Sequence, residues 1–117
     1  MTSNPMSSDA PVATVLAAAN IGALDEQALG DLPGVNRRIF FRDDTSEAGT
    51  LRLAAGHRLG SHTHRENQHH MWVLDGEAKI AGSRLGAGSY VHVPAGVEHD
   101  IDATSTDGCT VFYLYVR

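Results

Sequence analysis

The chain has 117 residues, of which 42% are hydrophobic and 20% charged, and its formal net charge is −5. This length suits one domain around one core, and this composition is typical of a folded protein rather than a disordered one. The acidic balance, with Lys79 as the only lysine, excludes the basic surface that nucleic-acid binding needs, and the single cysteine, Cys109, excludes an internal disulfide and any sulfur-rich metal site.

The first residues carry no periodic pattern. Residues 1–11 are rich in Ser, Pro and small side chains, and we expect them to be disordered. The longest apolar stretch, residues 11–24, is too short to cross a bilayer as a helix, and Asp9 precedes it where a signal peptide would carry positive charge. We therefore expect a cytoplasmic protein that binds neither membranes nor nucleic acids.

Residues 12–34 have a mixed pattern. Asp25 is a candidate start for a short helical turn that Gly30 and Pro33 end, and strand pairing of the sequence VATVL is equally open. We expect a short irregular N-terminal segment here, within a single domain that covers residues 12–117.

After Gly34 the sequence changes to short runs rich in branched and aromatic residues, separated by turn residues about every eight to twelve positions. Leu51 and Leu53 alternate with Arg52, as in a half-buried strand. This pattern predicts an all-β sandwich or barrel. The predicted strands are VNRRIFFR, GTLRLAA, a piece through SHTH, HHMWVLDG, EAKIAG, SYVHVP, HDIDA and CTVFYLYV.

The seven histidines all lie between positions 57 and 99, inside the predicted β region. His62 and His64 are two positions apart, so in an extended segment their side chains leave the same face and can share one metal ion. His69 and His70 are adjacent, so only one of them can join that face from the next strand.

The spacing of these residues resembles the first motif of the cupin family of small β-barrel proteins. That motif runs Gly, five residues, His-x-His, three or four residues, Glu, six residues, Gly. Here Gly56 is followed after five residues by His62 and His64, then after four residues by His69, and after six more by Gly76.

The second cupin motif runs Gly, five residues, Pro-x-Gly, two residues, His, three residues, Asn. This chain has Gly88, then Pro94 and Gly96 after five residues, then His99, and finally Ala103 where the family has asparagine. Both motifs together cover roughly half of the chain and are specific for fold and for metal binding.

The resemblance implies a small double-stranded β-helix of the cupin or jelly-roll type that holds one divalent transition-metal ion: Fe, Cu, Ni, Mn or Zn. His69 takes the place of the family's acidic ligand, as in the minority of cupins with four histidines. Gln68 fits the shorter spacing, but it would point to the opposite face, so His69 is preferred. The implied ligands are His62, His64, His69 and His99. Because neutral imidazoles leave the charge of the ion uncompensated, we expect the site to attract anions.

The last predicted strand, CTVFYLYV, presents either its odd-numbered or its even-numbered residues to the cavity. The sequence does not choose between them. An inward tyrosine can donate a hydrogen bond or a proton to a metal-bound ligand, which makes Tyr113 and Tyr115 the candidate catalytic residues.

Other conspicuous residues have structural explanations. Met71 shares the face of His69 and is expected in the core, whereas Trp72 is expected on the outer face, under the N-terminal segment or a partner subunit. Cys109 is expected to be a small buried filler. Expected at the surface or behind the ligands are His57, His70 and His92.

The function that these features favour is that of a metal-dependent oxidoreductase or dioxygenase, acting as a homodimer on a small anionic or enolisable substrate. One alternative within the enzymes is a Lewis-acid isomerase or cyclase. Another is a non-catalytic zinc- or ligand-sensing barrel, similar to the cupin part of some anti-sigma factors. The residues before Val35 are too few and too weakly helical to supply the helical part of such proteins, which favours the enzyme.

Overall fold

The computed structural model describes residues 11–62 and 66–117, and for residues 61 and 62 only the backbone. Within these ranges nearly all regular structure is antiparallel β-sheet, so the all-β prediction is confirmed. The elements are α1 (Ala18–Ala23), β1 (Gln27–Ala28), β2 (Val35–Arg42), β3 (Ser46–Leu53), β4 (Arg58–His62), β5 (Gln68–Ile80), β6 (Ser83–Gly86), β7 (Tyr90–Val93), β8 (His99–Ala103) and β9 (Cys109–Val116).

The strands form one curled sheet in the order β1-β2-β3-β9-β5-β8-β4. The long strand β5 joins its two halves, because its first part pairs with β7 and β9 and its last part pairs with β6 and β8. The register of β5 against β9 shifts between Val73 and Asp75, and such a bulge increases the local twist that lets one strand serve both halves.

The inner face of this curled sheet carries the core. On β3, β5, β8 and β9 buried side chains alternate with exposed or half-buried ones, as expected when one face of a strand is covered. The buried apolar residues are Val35, Leu51, Leu53, Met71, Val73, Ala78, Ile80, Val93, Ile101, Ala103, Cys109, Val111 and Tyr113.

One end of the inner face is polar. In the register of β3, β9 and β5, Glu47 lies opposite Tyr115, which lies opposite His69. In a neighbouring row Gly49 lies opposite Tyr113. Directly opposed residues share one face of a sheet, so these side chains converge on the same end of the barrel.

Gly49 is required where it stands. A Cβ atom there would lie 2.1 Å from the carbonyl oxygen of Arg38 and 3.0 Å from the hydroxyl oxygen of Tyr113. The missing side chain therefore leaves the space that the buried Tyr113 ring and its hydroxyl occupy.

The β5–β6 hairpin turns on two residues. Ala81 has φ +50° and Gly82 has φ +85°, both in the left-handed region, and Ile80 pairs with Ser83 on either side. Positive φ at both central positions is the backbone of the turn that best matches the twist of the flanking strands.

The elements depart from the sequence predictions at several points. The sequence VATVL forms neither strand nor helix, and the helical turn predicted at Asp25 is wrong, since α1 ends at Ala23 and Gln27–Ala28 pairs with β2 instead. HHMWVLDG and EAKIAG are one continuous strand, β5, and β6 was not predicted. The disorder predicted for residues 1–11 concerns residues that lie, except for Pro11, outside the described ranges.

Membrane insertion through a helix finds no support in the described ranges. The helix found there, α1, has six residues, and none meets the length and hydrophobicity that a membrane-spanning helix requires.

Candidate metal centre

Two histidines meet at the polar end of the barrel. His69 is 1% exposed and His99 is 3% exposed, and Nδ1 of His69 lies 3.0 Å from Nε2 of His99. The rings meet edge to face, with centroids 4.9 Å apart. One histidine of each cupin motif, from β5 and β8, is therefore brought into direct contact inside the molecule.

The orientation of His99 is fixed by its other nitrogen. Nδ1 of His99 lies 3.3 Å from the carbonyl oxygen of Val97, which can only accept a hydrogen bond. When Nδ1 donates to that carbonyl, Nε2 of neutral His99 presents a lone pair to His69, the form in which an imidazole binds a metal ion.

The distance between the two nitrogens is that of a hydrogen bond from Nδ1 of His69 to Nε2 of His99, and it would also suit two ligands of one transition-metal ion. Nitrogens bound at about 2.1 Å in adjacent octahedral positions lie about 3 Å apart, whereas tetrahedral positions place them about 3.4 Å apart. Ligation through Nδ1 of His69 requires the proton of this ring on Nε2. The pair thus offers two adjacent nitrogen ligands in a buried place.

The alternation of β5 separates His69 from its neighbours. Gln68 is exposed and accepts a hydrogen bond from Nε2 of His92, while Nδ1 of His70 lies 2.6 Å from the hydroxyl of Tyr90. These four side chains lie on the outer face, away from the pair. The geometry favours His69 over Gln68 as the residue of this strand that faces a metal.

The remaining two predicted ligands lie partly or wholly outside the described residues. The backbone of His62 pairs in register with His99, but its side chain is outside the described part, and His64 is outside it entirely. Among the side chains that the structure describes, no three His, Cys, Asp or Glu residues form a group able to hold a metal. The four-histidine set stays a prediction.

Strand β9 turns its odd-numbered residues inward, which answers the question that the sequence left open. Tyr113 is fully buried, and its ring centroid lies 6.5 Å from that of His69. Tyr115 is half-buried and closer, with its centroid 4.3 Å from His69 and 4.8 Å from Tyr113. Both candidate tyrosines therefore line the same end of the barrel as the histidine pair.

A carboxylate that sequence reasoning missed organises this end. The hydroxyl of Tyr113 donates to Oε2 of Glu47 at 2.6 Å, and Nε of Arg42 donates to Oε1 at 2.8 Å. A nitrogen of Arg37 lies 3.7 Å from Oε2 of the same group. The signal was present in the sequence, because Glu47 continues the alternation of Leu53, Leu51 and Gly49 on one face of β3.

The charge states of this network follow from burial and partners. Burial acts to raise the pKa of Glu47, but the hydroxyl of Tyr113 together with Arg42 and Arg37 outweighs it, so the pKa lies below its usual value. Burial, followed by Glu47, raises the pKa of Tyr113, and burial raises the pKa of Tyr115 to about 12. At neutral pH the carboxyl group is charged and both tyrosines keep their protons, so they act as hydrogen-bond donors.

Three further residues take the places expected of them. Met71 is fully buried in the core, and Trp72 lies on the outer face with its ring centroid 5.5 Å from Phe112 and 4.9 Å from Tyr90. Cys109 is buried, and burial raises the pKa of its thiol to about 11. A thiol in that state is a poor nucleophile at neutral pH.

Known proteins share the sequence pattern and the fold of this chain. The family model of the ChrR cupin-like domain matches residues 15–116, while no curated protein matches the chain. An RmlC-like cupin from Shewanella frigidimarina is similar in structure, with a TM-score of 0.71 and 20% identity over 81% of this chain and 85% of that chain.

Two other solved structures are similar, and the match covers a smaller share of each of those chains. The complex of Rhodobacter sphaeroides SigE with the anti-sigma ChrR gives a TM-score of 0.69 and 24% identity over 80% of this chain and 49% of that chain. The polyketide cyclase RemF from Streptomyces resistomycificus gives 0.73 and 13% over 81% and 75%. At these identities the likeness shows the fold alone, and it confirms the barrel predicted from the two motifs.

Proposed function

The chain belongs to the family of ChrR cupin-like domains, and on this fold we propose a metal-dependent enzyme, an oxidoreductase or dioxygenase that acts on a small anionic or enolisable substrate. The observation that carries the proposal is the buried contact between His69 and His99 beside Tyr115. Two adjacent imidazole nitrogens in a buried place have a ready use as metal ligands.

We propose that His62, His64, His69 and His99 hold one divalent transition-metal ion. When bound, such an ion supplies Lewis acidity and, if it is iron, copper or manganese, access to redox chemistry. The carbonyl of Val97 holds the ring of His99 in the ligating tautomer, as the outer partner of a metal-binding histidine commonly does.

The two tyrosines have different parts in this proposal. Tyr115 packs against His69 and keeps its proton at neutral pH, so its hydroxyl is a candidate donor to a developing negative charge on the substrate. Tyr113 already donates to Glu47, which suits it to positioning the ring of Tyr115 rather than to proton transfer.

The metal and the reaction are tested together. Protein purified without a histidine tag is assayed for bound metal and then for oxygen consumption with β-diketones, enols and catechols. An iron, copper, manganese or nickel protein that consumes oxygen with one of these supports the proposal. A stoichiometric zinc protein that turns over none of them contradicts it.

The ligand set is tested by substitution with a matched control. His69→Ala and His99→Ala are expected to weaken metal binding at least about tenfold, because each removes an inner nitrogen donor. His92→Ala removes an exposed histidine of the outer face and should leave metal binding unchanged. Full metal occupancy in His69→Ala would reject the assignment.

A sensor is the second candidate, and the family match favours it, since the matching model carries the name of an anti-sigma protein. In that case the barrel would bind zinc or a small ligand without turnover and pass the change to a partner protein. A Lewis-acid isomerase or cyclase is a third, and it differs from the dioxygenase by product formation without oxygen uptake.

Assembly and location are separate proposals. We propose a cytoplasmic homodimer, because small barrels leave edge strands that a second copy can cover. Sedimentation equilibrium of the purified protein tests the dimer, and a monomer at micromolar concentration would contradict it.

A further inference from the structure

An open cavity lies at the polar end of the barrel, between the segment after β1 and the inner face of the sheet. Its volume is about 470 Å³, within the range of small-molecule sites. Leu29, Leu32 and Leu59 give it apolar walls. Arg37, Asp31 and Tyr115 add polar side chains.

Arg37 reaches the cavity from the inner face of β2. It pairs in register with Leu51, which is 1% exposed, so the two share the covered side of the sheet. Its side chain is 26% exposed, and among the described residues its Nε is buried without a hydrogen-bond partner. A buried donor without a partner costs free energy, so a turn of this side chain that brings Nε to a ligand in the cavity would be favourable.

The charge balance leaves Arg37 available to an anion. The carboxylate of Glu47 is held at 2.8 Å by Arg42 and at 2.6 Å by the hydroxyl of Tyr113, whereas Arg37 is 3.7 Å away. Two guanidinium groups therefore share one carboxylate, which leaves about one positive charge in excess. Asp31, the acid on the cavity lining, offsets part of this excess, but it is exposed and therefore screened by solvent, and it disfavours a second negative charge on the ligand.

We infer that this cavity binds an organic monocarboxylate with an aryl or branched alkyl body, with its carboxylate on Arg37 and its body against Leu29, Leu32 and Leu59. The planar guanidinium group matches a carboxylate with two parallel hydrogen bonds, and the apolar walls select against small hydrophilic acids. Arg37 lies outside both cupin motifs, the first of which begins at Gly56.

The cavity adjoins the histidine pair through one residue. Tyr115 lines the cavity and also packs against His69 with ring centroids 4.3 Å apart. We infer that the bound carboxylate is the substrate of the histidine site, and this part rests on the proposed function. The binding of the carboxylate by Arg37 does not depend on it.

The test compares two probes of equal shape, phenylacetate and the neutral phenylacetamide, on protein freed of metal with a chelator. Wild type is expected to bind phenylacetate about tenfold or more tightly than the amide, since a charged hydrogen-bonded pair is lost in the amide. Arg37→Gln should abolish that preference. Arg38→Gln, an equal change of charge on the next residue of β2, whose Nε donates to the carbonyl oxygen of Leu24, should keep it.

Three results of the binding test would overturn the inference: equal binding of both probes to wild type, an unchanged preference in Arg37→Gln, or an equal loss of the preference in both variants.

Methyl shifts in the NMR spectrum of wild-type protein give a measurement that needs no variant to fold. Phenylacetate should move the methyl signals of Leu29 and Leu59 and leave those of Leu74, which is 54% exposed, in place. Shifts at Leu74 alone would also overturn it.

The test separates this inference from the proposed function. Carboxylate binding through Arg37 in a protein that binds no metal would contradict the enzyme and leave the inference standing. Metal binding and turnover in a protein whose carboxylate preference does not depend on Arg37 would support the enzyme and contradict the inference.

Discussion

Glu47 is an acidic residue on the inner wall of the barrel, where burial alone would favour its neutral form. Its side chain is 14% exposed, and it remains charged because Tyr113 and Arg42 each donate to one of its oxygens. A removed partner would leave part of this charge unsatisfied in a poorly solvated place, which costs more than the same loss at the surface. The hydrogen bonds to Glu47 therefore both stabilise the fold and hold the side chains at this end of the barrel in place.

Tyr113→Phe is expected to lower the free energy of unfolding by about 1.5–3 kcal/mol, the range for a hydrogen bond to a charged group. Tyr90→Phe is the matched control: its hydroxyl contacts His70 on the outer face and its side chain is 47% exposed, so its effect should stay within about 0.5 kcal/mol. Urea unfolding of both variants checks this. Equal effects would mean that the contact with Glu47 contributes little.

At the scale of elements, one hairpin turn and the N-terminal segment depend on a few local contacts. The two-residue turn of β5–β6 places a non-glycine residue, Ala81, at positive φ. The segment before β2 is attached by β1, by the ion pair of Glu26 with Arg52 at 3.0 Å, and by the hydrogen bond from Arg38 to Leu24. Both features lie outside the core and are open to substitution.

Ala81→Asn is expected to raise the free energy of unfolding by about 0.5–1 kcal/mol, because asparagine tolerates positive φ better than alanine does in this type of turn. Ala87→Asn is the control, since Ala87 is exposed in the next turn without positive φ. Chemical denaturation measures both. A gain at position 87 equal to that at position 81 would rule out the conformational explanation.

Glu26 gives a prediction for pH. The hydrogen bond from Arg52 lowers its pKa below 4.5, so its contribution to stability is complete above that value and is lost as the pH falls through the lower, folded pKa. Because Arg52 is 59% exposed and the pair lies at the surface, Glu26→Gln should cost less than about 1 kcal/mol at pH 7. Urea unfolding at pH 7 and pH 3 should show a smaller difference between wild type and variant at pH 3 than at pH 7; a difference of the same size at pH 3 would contradict it.

At the scale of the whole molecule, β5 brings the two halves of the sheet together. Its first half carries His69 and pairs with β9, which carries Tyr113 and Tyr115, while its second half pairs with β8, which begins at His99. The histidine pair therefore lies where both halves meet. A ligand that ties these residues together should stabilise the entire fold.

Addition of zinc chloride to metal-free protein at about 100 times its dissociation constant is expected to stabilise the fold by about 2.7 kcal/mol, or roughly 10 °C in melting temperature. His99→Ala should lose this shift, and His92→Ala should retain it. Calorimetry with and without zinc measures it. An equal shift in His99→Ala would place the bound metal elsewhere.

The sequence by itself determined the all-β class, the barrel type and the inward face of β5, because these depend on strand alternation and on motif spacing, which are local properties of the chain. Gln68, His69 and His70 were assigned to faces by counting alone. The alternation of β9 was equally visible, but both faces of this strand are largely apolar, and nothing local marked whether the face with Tyr113 and Tyr115 or the opposite face meets the core.

Only the tertiary structure decided the contacts between distant strands. Glu47 and Tyr113 are 66 positions apart in the chain, and His69 and His99 are 30 apart. Arg37 lines its cavity together with Leu29 and Leu32, which follow the two-residue strand β1. Such contacts depend on the register of several strands at once, and a shift of one residue would turn each side chain to the other face. The chemistry of the site lies in that register, which no single segment specifies.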